Sequence, residues 1–129
     1  MVPWVILLHE ASDGTSHYDW LIQSSPVDRQ ASLISFRVSA RPDDPAAVAF
    51  EAERMSDHRA AYLSFEGEVR GGRGRVRRVG EGLARIEADN GVFVVTLDSE
   101  RTWIGERAGF ESSLYAFRLQ RPVGLGHTG

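Results

Sequence analysis

Cysteine and lysine are both absent from this chain of 129 residues. Without cysteine there is no disulfide framework and no thiolate to serve as a nucleophile or metal ligand. All fifteen basic residues are therefore arginines, whose planar guanidiniums suit bidentate contacts with phosphate or carboxylate. No apolar run approaches the roughly 18 residues of a membrane helix. The short apolar N-terminal run also lacks the preceding basic residue of a signal peptide. We therefore expect a cytoplasmic protein with no membrane partner.

The composition is that of an ordinary globular protein, with 42% hydrophobic and 26% charged residues. The formal net charge of −3 does not favour a non-specific nucleic-acid binder. The signatures of two large enzyme classes are missing. There is no Gly-x-Ser-x-Gly nucleophile elbow and no phosphate-binding loop ending in Gly-Lys. No internal repeat or linker divides the chain, so we expect a single domain.

Short apolar or alternating runs separated by turn residues make up most of the sequence, which is typical of β-structure. Asn90-Gly91 predicts a hairpin because both residues tolerate the positive φ angles of a type I′ turn. About eight strands predict an all-β single domain, a closed or partly open antiparallel β-barrel over residues 1–122. Residues 123–129 are expected to be a flexible C-terminal tail. The predicted strands are roughly 3–8, 17–23, 31–38, 73–79, 83–88, 91–97, 102–106 and 114–121.

One short helix is also predicted. Asp43-Asp44-Pro45 offers an aspartate N-cap followed by proline at the first helical position. The alanine-rich segment that follows favours two turns of helix, ending near Met55.

The stretch from His9 to Asp19 is the strongest candidate for function. In a strand, residues i and i+2 point to the same face, so His17 and Asp19 lie side by side. If the first two strands pair as a hairpin, His9 returns toward His17. Two imidazoles and a carboxylate suit a divalent transition metal such as Mn, Fe or Zn. The alternative is an ordinary set of polar residues at a hairpin mouth.

A second candidate is the pair His58 and Tyr62, which are four residues apart and would share a face on a helical turn. A histidine there could bind phosphate or protonate a leaving oxygen, and the tyrosine hydroxyl could donate to the same oxyanion. The alternative is that Tyr62 and Phe65 are core aromatics and that His58 is a capping residue behind Asp57.

Five arginines lie between positions 70 and 78, interleaved with glycines. Arg73, Arg75 and Arg77 would share one strand face, with Arg78 on the other. The glycines would let the backbone approach a phosphate closely, which makes a guanidinium clamp for a phosphodiester backbone. The alternative is a solvated hairpin facing acidic neighbours.

Two groups of these residues resemble the motifs of one family, the 3′-phosphoesterase domain of bacterial DNA ligase D. His9-x-Ala-Ser followed by His17-Tyr-Asp19-Trp resembles its His-x-Ala-x-x-x-His-Tyr-Asp-Phe signature. Asp57-His58 followed by Tyr62-x-x-Phe65-Glu-Gly resembles its Asp-His-Pro-x-x-Tyr-x-x-Phe-Glu-Gly element. A glycine-rich turn follows in both, at residues 71–74 here. The motifs come in the family's order over most of the chain.

The resemblance implies a β-barrel with a manganese-dependent site that removes a 3′-terminal ribonucleoside or a 3′-phosphate in DNA repair. By position, His9, His17 and Asp19 match the metal ligands, with Zn²⁺ or Co²⁺ as alternative metals. His58 and Tyr62 match residues that engage the scissile phosphate. The implied partners are DNA or RNA–DNA 3′ ends, together with a separate ligase or other end-joining proteins, for a stand-alone form of the domain.

The chain departs from the family pattern at several positions. His9 and His17 are two residues further apart than is usual. Leu21 and Gln23 replace an arginine and a glutamate, and Ala40 lies where the family has a lysine. The family's upstream phosphate-binding arginine has no direct match, since Arg54 is displaced. Arg73 or another nearby arginine, such as Arg75, would have to replace the missing charge.

Two further hypotheses stay open at this stage. One is a catalytically impaired barrel that keeps the metal pocket and binds nucleic acid or a repair partner, which the missing arginine and lysine favour. The other, ranked lower, is an Fe(II) oxygenase whose facial triad is His17, Asp19 and His58.

Overall fold

The computed structural model describes residues 1–120, so the expected tail, with His127, lies outside the described residues. Within residues 1–120 the only helical element is a 3₁₀ turn, Ala60–Leu63, and no helix is long and apolar enough to cross a membrane. The rest is a single antiparallel sheet. Its strands are β1 Val2–Glu10, β2 Ser16–Gln23, β3 Leu33–Val38, β4 Ala49–His58, β5 Gly67–Glu68, β6 Arg75–Asp89, β7 Val92–Leu97, β8 Arg101–Arg107 and β9 Leu114–Leu119.

The sheet closes on itself in a ring of eight strands. Their order is β1-β2-β3-β4-β9-β8-β7-β6, and β6 pairs again with β1, while β5 pairs only with β6. The all-β antiparallel prediction is therefore confirmed. Two predicted strands, 73–79 and 83–88, are one continuous strand. Its first part pairs with β1 and its last part with β7, so β6 closes the ring.

The turn between β6 and β7 has the predicted chemistry. Asn90 has a φ of 47° and Gly91 a φ of 78°, so both central residues are in the left-handed region that a type I′ turn requires. The hairpin prediction at this dipeptide is confirmed.

Aromatic side chains fill the interior of the ring. Phe50 stacks on Phe117 with ring centroids 5.0 Å apart, and Trp20 and Trp103 pack edge-on against the same pair. Each fully buried side chain of this size contributes about 1.5–3 kcal/mol through loss of contact with water. Gly105 lies against this cluster, and a Cβ there would come within 2.4 Å of Phe117. The interior is thus packed core, which leaves the outer surface for a ligand.

A second, smaller apolar cluster lies on the outer face of the sheet. Its buried members alternate along β1, β2, β3 and β6 with residues that face the interior. The 3₁₀ turn and the segment after it cover this cluster. Its members are Val5, Leu7, Leu21, Leu33 and Val76, covered by Tyr62, Leu63 and Val69. We call this group the outer cluster, and it positions the candidate site.

The predicted helix ending near Met55 is wrong. Residues Asp44 to Ala47 form turns, in which the Asp44 carboxylate accepts a hydrogen bond from the Ala46 amide, and the chain then enters β4. Phe50 and Ala52 are buried while Glu51 between them is exposed, which is the two-residue period of a strand. Pairing with β3 and β9 overrides the helix propensity of the alanines.

Candidate metal centre

The β1–β2 hairpin brings the three predicted metal ligands together. His9 and His17 are direct register partners across the two strands. Asp19 follows His17 by two residues and lies on the same face, because Tyr18 between them packs against the inner core. All three side chains therefore project from the outer face of the sheet.

The turn of this hairpin is held by its own side chains. The Asp13 carboxylate accepts hydrogen bonds from the amide and the hydroxyl of Thr15, at 2.9 and 2.6 Å. These bonds from Thr15 hold the pKa of Asp13 below its ordinary value. Gly14 has a φ of +89°, which favours glycine. The turn therefore fixes the register that sets His9 opposite His17.

The distances in this group are those of a metal site. His9 Nδ1 lies 3.1 Å from His17 Nε2, which lies 3.3 Å from Asp19 Oδ2. One ligand atom from each residue lies within 4.8 Å of the others. Two ligands about 2.0–2.2 Å from one ion, with an octahedral or tetrahedral angle between them, lie about 3.0–3.5 Å apart. The three residues could therefore hold a metal ion.

The hydrogen-bond network supplies fewer hydrogens than the metal group has acceptor atoms. His9 Nε2 lies 2.7 Å from the Arg73 carbonyl oxygen, which can only accept, so His9 carries its hydrogen on Nε2. The Nδ1 atom of a neutral His9 then presents a lone pair to His17. His17 Nε2 thus faces two acceptors, His9 Nδ1 and the Asp19 carboxylate, with one hydrogen to share. A cation satisfies all three lone pairs better than one proton does.

The charges around the group keep His17 available as a ligand. Burial lowers the pKa of His17, aided by Arg37 and His9, and this outweighs the opposite effect of the Asp19 carboxylate. Because only neutral imidazole binds a metal, this direction favours coordination. Arg37 is the register partner of Asp19 on β3, and its Nε lies 4.0 Å from Asp19 Oδ1. One carboxylate oxygen thus faces Arg37 and the other faces His17.

His58 and Tyr62 also come together, although not on one helix. His58 ends β4 and Tyr62 lies in the 3₁₀ turn, with their rings edge-to-face at 5.1 Å. His58 Nδ1 lies 2.7 Å from the Ser35 hydroxyl, which itself donates to the Leu33 carbonyl. Since the only hydrogen of the Ser35 hydroxyl is already donated to Leu33, His58 must donate from Nδ1, which leaves its Nε2 free. His58 and Tyr62 are both half-buried, and Tyr62 packs on the outer cluster.

Both groups border the outer cluster. Leu7 precedes His9 by two residues and Leu21 follows Asp19 by two, so each lies on the same strand face as its ligand. On the other side, Leu33 is the register partner of His58, and Tyr62 packs on the cluster. The candidate metal group and the His58–Tyr62 pair therefore share one face of the sheet, with apolar side chains between them.

The three predicted phosphate-binding arginines are placed differently. Arg73 lies in the glycine-rich turn before β6, where its carbonyl contacts His9. Arg75 begins β6 and points to the opposite face from Val76, the partner of His9. Arg54 lies over the ring of Phe36 on the inner face and is bonded to Asp57. Of the three, only Arg73 adjoins the metal group.

Sequence reasoning missed three contributors to the site. Arg37 and Ser35 were recognised only as one face of an alternating strand. Their alternation with Phe36 was a usable signal, but their partners depend on a register set across the long β2–β3 loop. The third contributor is the Arg73 carbonyl, a backbone group for which the sequence carries no signal.

The arrangement supports divalent-cation chemistry on an exposed outer face, with a histidine nitrogen free nearby. Comparison of the chain with protein-family models and with curated proteins finds no match to either. The metal-binding assignment therefore depends on the geometry of His9, His17 and Asp19, and the phosphoesterase interpretation on the two motifs.

Proposed function

We propose that the protein is a metal-dependent phosphoesterase that acts on the 3′ ends of nucleic acids, with Mn²⁺ as its metal. One observation carries the proposal: His9, His17 and Asp19 converge with ligand spacing on the same face as the His58–Tyr62 pair. Both sets also belong to the motifs that resemble the DNA ligase D phosphoesterase domain. A metal group beside a histidine with a free nitrogen is what phosphate ester cleavage requires.

The metal group and the His58–Tyr62 pair have different roles in this proposal. His9, His17 and Asp19 would hold the divalent ion, which would supply Lewis acidity toward a phosphate oxygen and lower the pKa of a bound water. The chain supplies the ligands and their orientation. His9 is oriented by the Arg73 carbonyl, and Asp19 is flanked by Arg37. Such outer contacts fix the direction of each lone pair.

The His58–Tyr62 pair would act on the oxygens of the phosphate ester. With Nδ1 bonded to Ser35, His58 has Nε2 available to donate a proton when the imidazole is cationic. The Tyr62 ring packs against His58 and limits its rotation. The Tyr62 hydroxyl would donate a hydrogen bond to a non-bridging phosphate oxygen.

Manganese is proposed over other metals because of the family resemblance alone. The ligand set contains one carboxylate and two imidazoles and no thiolate, which suits Mn²⁺, Zn²⁺ and Co²⁺ alike. The family that the motifs resemble is manganese-dependent. Activity measured with each of the three ions at equal concentration ranks them directly.

The test uses primer–templates that end in a single 3′-ribonucleotide or a 3′-phosphate, with Mn²⁺ present. We expect the wild-type protein to release the terminal nucleoside or the phosphate, and Asp19→Asn to lose this activity. Glu10→Gln is the matched control, since it removes an exposed carboxylate from the same hairpin and lies outside the metal group. Equal rates for wild type and Asp19→Asn would exclude the proposal.

A non-catalytic module is the second candidate, favoured by Leu21 and Ala40, which replace an arginine and a lysine of the family pattern. It predicts metal binding through His17 with no turnover of either substrate. The Fe(II) triad of His17, Asp19 and His58 has less support. The ligand atoms that lie within 4.8 Å of one another come from His17, Asp19 and His9, and not from His58.

A further inference from the structure

A groove of about 200 Å³ lies between the 3₁₀ turn and the glycine-rich turn. We call it the arginine groove. A space of this volume is sufficient for one planar ring system. Its polar and aromatic lining residues are Arg59, Tyr62, Phe65, Glu68, Arg70 and Arg73.

The guanidiniums of the arginine groove have no carboxylate partners. Arg59, Arg70 and Arg73 are exposed, and none of them forms an ion pair with another residue in the part of the chain that the structure describes. By contrast, Arg41 and Arg54 are paired with aspartates. The arginine groove contains one carboxylate, that of Glu68, so its net charge is positive. It therefore complements an anion that carries more than one charge.

The aromatic side chains give the arginine groove a second feature. Phe65 is 36% exposed although it lies beside a covered apolar cluster. Its ring packs edge-to-face on Tyr62 at 5.4 Å, and Tyr62 packs in the same way on His58 at 5.1 Å. These rings lead from the surface to the imidazole assigned to the leaving oxygen. An exposed aromatic ring beside guanidiniums is the usual platform for an unpaired nucleobase.

The arginine groove also adjoins the metal group. Arg73 lines it, and the Arg73 carbonyl bonds to His9 Nε2 at 2.7 Å. The Arg73 side chain is held by a bond from its Nε to the Arg70 carbonyl, at 2.8 Å. A strand that occupied the arginine groove would therefore lie between Arg73, whose carbonyl contacts His9, and Tyr62, whose ring contacts His58.

We propose that the arginine groove holds the single strand whose 3′ end is processed, with a nucleobase stacked on Phe65 and its phosphates on Arg59, Arg70 and Arg73. The inference rests on the proposed function, whose substrate it places. The strand is unpaired at the groove, because a base inside a duplex is stacked between its neighbours and has no free face for Phe65. Recognition is by stacking and charge, so it is tolerant of base identity.

The test measures binding without metal, so that it does not depend on turnover. A 5′-fluorescein-labelled ten-nucleotide oligothymidine is titrated with protein in EDTA, at salt concentrations from 50 to 200 mM, and fluorescence anisotropy is recorded. Phe65→Ala is expected to weaken binding at least about fivefold with the salt dependence unchanged. Arg70→Gln is expected to weaken binding and reduce the slope of log K against log salt by about 0.7.

The chain offers a matched control pair. Phe110 is 88% exposed and has the Arg107 guanidinium 5.9 Å from its ring, so it presents the same chemistry on the β8–β9 loop. Phe110→Ala and Arg107→Gln should leave binding unchanged. Phe65→Trp, which keeps a stacking surface, should restore the affinity lost in Phe65→Ala and so separates stacking from local unfolding.

Three results would overturn the inference. One is equal loss in the groove and control variants. Another is unchanged binding in both Phe65→Ala and Arg70→Gln. The third is equal displacement of the oligonucleotide by an oligoglutamate peptide of the same charge, which would indicate a general anion site. Failure of the proposed function is distinguishable, because this titration needs neither metal nor turnover. Binding that depends on Phe65 and Arg70, without release of product from the primer–templates, would retain the arginine groove as a strand-binding site and remove the phosphoesterase proposal.

Discussion

The two halves of the proposed site are built on different kinds of backbone structure. His9, His17 and Asp19 lie on one regular hairpin, where pairing alone sets their separation. His58 ends a strand whose pairing with β3 shifts register between Leu33 and Ser35, and Tyr62 lies in a 3₁₀ turn. The metal group is positioned by sheet geometry. The His58–Tyr62 pair is positioned by packing on the outer cluster and by the hydrogen bond from His58 to Ser35.

This difference has a functional consequence. A metal site tolerates little error in ligand position, and a hairpin with a closed turn supplies that precision. The position of the proposed proton donor, His58, depends instead on the Tyr62 ring and on the Ser35 hydroxyl. Variants that affect one group and spare the other test whether the two are separable.

The largest effect is expected from removal of a ligand. His17→Ala should lower Mn²⁺ affinity more than about a hundredfold, since loss of outer contacts alone typically costs 10–100-fold. Turnover should then fall below detection. Isothermal titration with Mn²⁺ measures the affinity, and His58→Ala, which should bind the ion normally, is the control. If both variants lose affinity equally, His58 is a ligand and the division between the groups is wrong.

His58→Gln should have the converse effect. Metal affinity stays unchanged, while kcat falls about a hundredfold or more, because proton transfer from a positioned side chain typically contributes 10²–10⁴-fold. Single-turnover rates at saturating Mn²⁺ measure this effect. An unchanged rate would remove His58 from the mechanism and favour the non-catalytic module.

The comparison also explains what the sequence could predict. His9, His17 and Asp19 were placed correctly because a two-residue period and a short turn determine strand register. The all-β class follows from the same periodicity, whereas closure of the ring depends on the long-range pairing of β1 with β6. The segment after Asp44 was assigned to a helix because alanine propensity is local, whereas its pairing with β3 and β9 depends on distant residues. The roles of Ser35 and Arg37 required the same long-range register.

A smaller effect is expected at the turn that orients His9. Gly74 has a φ of +102°, and a Cβ there would lie 2.1 Å from the Glu10 carbonyl oxygen, so Gly74→Ala must move the turn. The Arg73 carbonyl would shift away from His9, and Mn²⁺ affinity should fall about tenfold. Gly72→Ala is the control, because Gly72 has a φ of +67° and nothing within 4 Å of a Cβ. If both variants lose Mn²⁺ affinity to a similar degree, the effect comes from backbone strain and not from the orientation of His9.

The smallest effect is expected from Ser35→Ala, which removes the partner of His58 Nδ1 and leaves the ring in place. A hydrogen bond of this kind contributes about 0.5–1.5 kcal/mol, so kcat should fall about two- to tenfold with Mn²⁺ affinity unchanged. Ser32→Ala is the control, since its hydroxyl bonds only to the exposed Asp57 carboxylate. Because the effect acts through His58, Ser35→Ala should add nothing to His58→Gln. If the two losses multiply in the double variant, Ser35 acts by another route and the second group is larger than the His58–Tyr62 pair.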